Sequence, residues 1–138
     1  MTDRTMTESQ ALARVEKLIH ETAAVIVPKP RLELMPHTVA PHPCLHDDKS
    51  QDQIVVNRAY WLRDIPKSDI MNVSRQVRAY WESQGHRITA SGREGNPDLS
   101  GVSQADGFTL ALTWSAGDTL YLAATSACVW PKGTPEAK

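Results

Sequence analysis

The chain has 138 residues, 41% hydrophobic and 22% charged, the length and composition of one globular domain. A domain this size buries roughly two-thirds of its unfolded-chain surface, so a core can form without metals or disulfides. A formal net charge of -1 provides no long-range field for nucleic acid or an anionic membrane, and no nucleic-acid partner is expected.

Taken in chain order, residues 1–6 read as a loose polar start. Thr7-Glu8-Ser9-Gln10 is a capping box with Thr7 as N-cap. Leu12, Val15, Leu18, Ile19, Thr22, Ala23 and Ile26 then recur at helical spacing, with Glu16, Lys17, His20 and Glu21 on the other side. Pro28 closes this helix, because a proline drives the residue before it out of the α region.

Pro28, Pro30, Pro36, Pro41 and Pro43 crowd the next segment. No regular helix or central strand runs through such spacing, so residues 28–50 are read as a Pro-rich strap over the domain surface. Leu32, Leu34 and Met35 supply one short extended anchor in it.

Gln53 to Arg63 alternates as a strand with large apolar groups on both faces. Asp64-Ile65-Pro66-Lys67 turns the chain into a second helix that begins near Ser68 or Asp69. Ile70, Val73, Val77, Tyr80 and Trp81 form its stripe, and Gly85 stands past its end. His86 to Ser91 reads as a strand and residues 92–106 as a long loop. Gly107 to Ser115 and Thr119 to Cys128 are strands joined by the turn Ala116-Gly117-Asp118. Residues 132–138 form a loose tail. The predicted fold is a single α+β domain spanning 1–138. It has an antiparallel sheet of about four strands, with two helices packed on one face under the strap.

Cys44 in the strap and Cys128 at the end of the last strand lie too far apart in sequence for a CxxC pair or a zinc knuckle. One reading is a reactive thiol with a depressed pKa. The other is a disulfide pinning the strap to the sheet. Closing so long a loop is nominally worth about 4–5 kcal/mol on the chain-entropy model. A bridge implies an oxidising, extracytoplasmic compartment, and free thiols a cytoplasmic one. The polar start MTDRTMTESQ has no signal-peptide pattern, and no apolar run approaches the ~18–20 residues of a spanning helix. Membrane attachment is expected only through a lipid anchor that the sequence itself does not carry.

His37, His42, His46, Asp47 and Asp48 gather in the strap. Imidazole and carboxylate together suit Zn or another transition metal, although the spacing matches no named motif. The alternative is an exposed polar loop, and no resident cofactor is predicted. Tyr60, Trp61, Tyr80, Trp81 and Trp130 are candidates for an aromatic-lined groove that takes a peptide, glycan or apolar ligand, or else they are core residues with satisfied polar tips. Arg58, Arg63, Arg75, Arg78, Arg87 and Arg93 offer contacts to an anion or form a solvated face. Nucleophile-elbow, zinc-protease, Walker and dinucleotide motifs are all absent.

Four fragments resemble small actinobacterial lipoproteins and secreted proteins of unknown function, of the Streptomyces and mycobacterial type. They are ALARVEKLIHETAAVIVPKPRLE, AYWLRDIP, VRAYWESQGHRIT and ATSACVWPKG. The most specific part is Ser126, Cys128, Val129, Trp130 and Pro131. In such proteins a lipobox cysteine precedes the first helix, and this sequence lacks it. The resemblance implies an exported chain and a pairing of its two cysteines; it implies no activity.

The expected function is a non-enzymatic envelope or secreted binding domain for a protein, peptide or small-molecule ligand. Two alternatives stand beside it. One is a small enzyme or pathway accessory factor, with a pocket under the strap using His37, His42, His46, Asp47 and His86. The other is metal capture by the strap histidines.

Overall fold

The computed structural model describes residues 5–36, 41–44, 53–104 and 106–134. Helix α1 spans Glu8–Ala24 and begins with the predicted capping box. Gln10 N–H donates to Thr7 Oγ1 at 3.1 Å, and Thr7 N–H donates to Gln10 Oε1 at 3.0 Å. Its buried stripe is Ala11, Val15, Leu18, Ile19, Thr22 and Ala23. The helix stops three residues before Val27, because the Val27 backbone is engaged elsewhere. Val27 N–H donates to Gln76 Oε1 at 2.8 Å and Val27 C=O accepts from Gln76 Nε2 at 3.1 Å. The Val27–Pro28 peptide is cis.

Strand β1, Arg31–Leu34, pairs antiparallel with β4, Asn57–Arg63. Between them in sequence lie β2, His42–Pro43, and β3, Ile54–Val55, which pair with each other as a two-stranded ribbon. A 3₁₀ turn, Lys67–Asp69, leads into α2, Ile70–Ser83. Then come β5, Arg87–Ser91, β6, Leu99–Val102, β7, Thr109–Ser115, and β8, Thr119–Thr125. The main sheet has six strands in the order β1-β4-β8-β7-β6-β5, and neighbours run antiparallel throughout.

Six strands replace the expected four or so, and the two additions have physical reasons. The prolines around β1 do not exclude a strand, because β1 is an edge and needs a ladder on one side only. The described parts of 28–50 thus join sheets instead of forming an extended strap. Strand β6 was hidden in the expected 92–106 loop by Gly101. That glycine is where the Trp81 ring closes on the strand: an added Cβ would stand 3.5 Å from the ring and 3.1 Å from Arg87 C=O. The single strand expected from Gln53 to Arg63 breaks at Val56. Val56 N–H donates to Ser126 Oγ at 3.0 Å, and Val56 C=O accepts from Ser126 N–H at 2.8 Å.

The core lies between one sheet face and the two helices. Leu62, Leu99, Leu110, Leu112, Leu120, Leu122 and Ala124 meet Val15, Leu18 and Ile19 of α1 and Val73, Val77 and Trp81 of α2. Trp81 is fully buried, and its Nε1–H donates to Thr22 Oγ1 at 2.9 Å, which ties the helices together. Residues of opposite parity face outward. One row crosses five strands as Ala59, Ala123, Ala111, Ser100 and Ala90.

Candidate functional site

Cys44 follows β2 and Cys128 follows β8. The two are disulfide-bonded, with Cα atoms 5.7 Å apart across 84 positions of chain. The ribbon is fastened beside the bridge: Ile54 and Val129 exchange backbone hydrogen bonds at 2.9 and 2.8 Å. Neither thiol is free, so the nucleophile reading is removed. The bridge is consistent with an oxidising compartment. No helix of the described residues is long and apolar enough to cross a membrane.

Of the proposed metal ligands, His42 lies exposed in β2 opposite Val55. His37, His46, Asp47 and Asp48 lie outside the described residues. Among the described residues no three His, Cys, Asp or Glu side chains converge as a metal site. His86, the remaining member of the pocket expected beneath the strap, stands beside β5 at the far edge of the main sheet. Its Nδ1 accepts from Gln104 N–H at 3.0 Å. Burial lowers its pKa first, with the Arg14 charge adding to this against the opposing pull of Asp106 and Glu21.

The aromatic candidates do not assemble into one groove. Tyr60 points to the helices and Trp61 to the opposite face, as alternation along a strand requires. Trp81 is in the core, and Tyr80 lies half-buried on α2. Burial raises the Tyr80 pKa, helped by Glu21. Trp130 packs near the start of the chain, where its backbone N–H donates to Thr5 Oγ1 at 2.8 Å. Its buried Nε1 has no hydrogen-bond partner among the described residues. On the outer face, Trp61 instead meets Tyr121 edge to face at 5.7 Å. Arg63 lies 5.2 Å from the Trp61 ring centre and pairs with Glu33 at 2.8 Å.

Two groups of titratable side chains come together that the sequence did not bring together, although Tyr60 and Arg58 were each named there as candidates. In the first, the Glu16 carboxylate accepts from Tyr60 OH at 2.6 Å and lies 3.5 Å from Arg58 Nε and 3.0 Å from His20 Nε2. Burial, and then the hydrogen bond to Glu16, push the Tyr60 pKa up to about 12. The sequence signal is the i,i+4 spacing of Glu16 and His20 set against the i,i+2 spacing of Arg58 and Tyr60. In the second, Asp106 accepts from Arg14 Nε at 2.8 Å and from Ser103 Oγ. Burial opposes ionisation of Asp106, but these donors outweigh it and hold its pKa below the usual carboxylate value. Ser103 Oγ also accepts from Phe108 N–H at 2.9 Å, so this serine shapes the β6–β7 loop. Both groups fasten α1 to the sheet side of the molecule.

A third arrangement faces solvent. A cleft of about 170 Å³ separates α2 from the turn that joins β5 to β6. Arg75 and Arg78, three positions apart, share one face of α2; Ser91, Arg93 and Glu94 form the opposite wall. The turn is closed by Asn96 N–H donating to Arg93 C=O at 2.7 Å and Asp98 N–H donating to Asn96 Oδ1 at 2.9 Å. Ser74 Oγ donates to Pro97 C=O at 2.8 Å and anchors the turn on α2. Gly92 belongs to this construction, since a Cβ there would stand 2.6 Å from Asn96 C=O. Arginines 75, 78 and 93 were visible in the sequence as possible anion contacts, but their convergence was not. Comparison with protein-family models, curated proteins and solved structures finds no match to this chain.

Proposed function

We propose that the chain is a non-enzymatic binding domain of the cell envelope or the secreted fraction, presenting a protein, peptide or small-molecule ligand with a surface of the α2 side. The observation that carries this reading is how its acid–base groups are used. Glu16, Tyr60, Asp106, Ser103 and His86 each spend a polar atom on a bond within the fold. The arginine-lined cleft, in contrast, opens to solvent. Groups tied into the fold are poorly placed to accept a substrate proton, whereas exposed guanidinium groups recognise ligands without reacting. The Cys44–Cys128 bridge supports the extracytoplasmic address.

The test pairs intact mass with an activity panel. Protein recovered from its native cells is expected to show a two-hydrogen mass deficit and to resist alkylation until reduced. It is also expected to turn over no ester, peptide, glycoside or phosphomonoester substrate. Two freely alkylated thiols would sink the extracytoplasmic address. Turnover that disappears in His86→Ala would overturn the non-enzymatic reading.

A further inference from the structure

We infer that the cleft between α2 and the β5–β6 turn binds a tetrahedral oxyanion, a phosphate or sulfate group; this rests on the binding reading above and names its ligand class. Three arginines line the cleft from two sides. Arg75 bonds to the neutral amide of Asn72, which leaves its charge uncompensated. Arg93 makes no ion pair among the described residues. Among the described residues Arg78 pairs with Glu82, at 3.4 Å and about half exposed, a contact of little strength in water.

Two carboxylates also line the cleft. Asp98 is already engaged, its Oδ1 accepting from Trp114 N–H at 2.8 Å. Glu94 stands exposed on the turn and limits anion affinity from there. Among the lining residues three arginines face these two acids, an excess of one positive charge, which Glu82 beside Arg78 offsets from outside the cleft. A planar carboxylate is satisfied by one bidentate arginine. Arginines on two walls of one cleft better match an oxyanion that presents oxygens in several directions. The volume accommodates one such group, with Ser91 at the wall to add a hydroxyl. The turn's own hydrogen bonds and its anchor on Ser74 hold Arg93 opposite α2 before any ligand arrives, which lowers the ordering cost of binding.

The experiment is an NMR and calorimetric titration of the full, disulfide-bonded chain at low ionic strength. Inorganic phosphate, sulfate and glycerol phosphate are the probes, with acetate as the control at matched ionic strength. The expected result is saturable binding of the tetrahedral anions, with shifts centred on Arg75, Arg78 and Arg93 and little response to acetate. Arg93→Ala and Arg75→Ala are each expected to weaken binding roughly tenfold, the loss of one charge-assisted contact. Arg93→Lys should fall between, and Glu94→Gln should tighten binding. Unchanged melting temperatures will show that these exposed variants fold. Tighter glycerol phosphate than phosphate identifies an organic phosphate ester as the source of the group; the reverse identifies the free anion. Equal curves for the wild type and an Arg75→Ala/Arg93→Ala double variant, an equal response to acetate, or no response at about 20 mM ligand each overturn the site. Loss of the anion response without substrate turnover removes this site alone, whereas turnover lost in His86→Ala removes the binding reading itself.

Discussion

The two faces of the six-stranded sheet are built from the same strands and behave as different materials. The inner face carries Leu62, Leu110, Leu112, Leu120 and Leu122, all buried beneath two helices. The outer face carries small side chains in its central row, Ala59, Ala123, Ala111, Ser100 and Ala90, with Trp61 and Tyr121 on one flank. Alternation along a strand makes this possible, since each step of one residue moves a side chain to the other face. Stability is therefore concentrated on one side, and the other side, apart from the buried Ala59, is more open to variation.

The largest expected effect comes from neighbours on β8. Leu122→Ala removes a buried side chain from the middle of the core and should cost about 2–5 kcal/mol. Ala123→Ser, one residue on and facing outward, should change stability by less than about 0.5 kcal/mol. Urea unfolding of both variants measures the contrast, and similar losses would break it. A tryptophan pair sharpens it next. Trp81→Phe loses ring volume and the bond to Thr22, and should cost about 1–3 kcal/mol. Trp61→Phe on the half-exposed face should cost less than about 1 kcal/mol.

A further effect is electrostatic and depends on pH. Asp106 has a folded pKa below its unfolded value of about 3.9, so its contribution is present above that value and fades as pH falls through the folded one. His86 is also lowered. Its neutral form is favoured in the fold, so stability is full above about pH 6.5 and declines below it toward the folded pKa. Acid therefore weakens the fold in two stages. Asp106→Asn should lose about 1 kcal/mol at pH 7 and flatten the stage below about pH 4, as read from melting temperatures across pH. An unchanged acid profile would mean that the Arg14–Asp106 contact does not contribute to stability.

Local chemistry made much of the fold legible. Thr7 and Gln10 announce α1 because a capping box is complete within four residues. Gly117 and Asp118 both adopt positive φ, at 76° and 56°, in the turn expected between β7 and β8. What escaped depends on partners distant in sequence. Arg31–Leu34 and Leu99–Val102 are four residues each, too short to show a period, and become strands only by lying beside β4 and β7. Trp114 shares parity with Leu112, yet it is 40% exposed. Strand β6 begins opposite Leu112, so Trp114 lies past its ladder, bonded there to the Asp98 side chain and open to solvent. The candidate site escaped for the same reason: Arg93 reaches α2 only through a turn held by Ser74 and Asn96. The cysteine bridge was readable because the chain holds two cysteines and one pairing.

The bonds that close the ends have a mechanical consequence. Thr5 N–H donates to Gly133 C=O at 2.9 Å, and Glu8 N–H to Pro131 C=O at 2.9 Å, so the two ends of the described fold lie side by side. A pull applied through both ends would first open these bonds and would then be borne across the 84-position interval by the covalent link between Cys44 and Cys128. Helix α1 and strand β1 lie outside that interval and would take the load first, whereas β4, α2 and β5 to β8 lie inside it and are shielded from a pull along their own chain. The covalent link thus diverts a pull along the chain around the interval between the two cysteines.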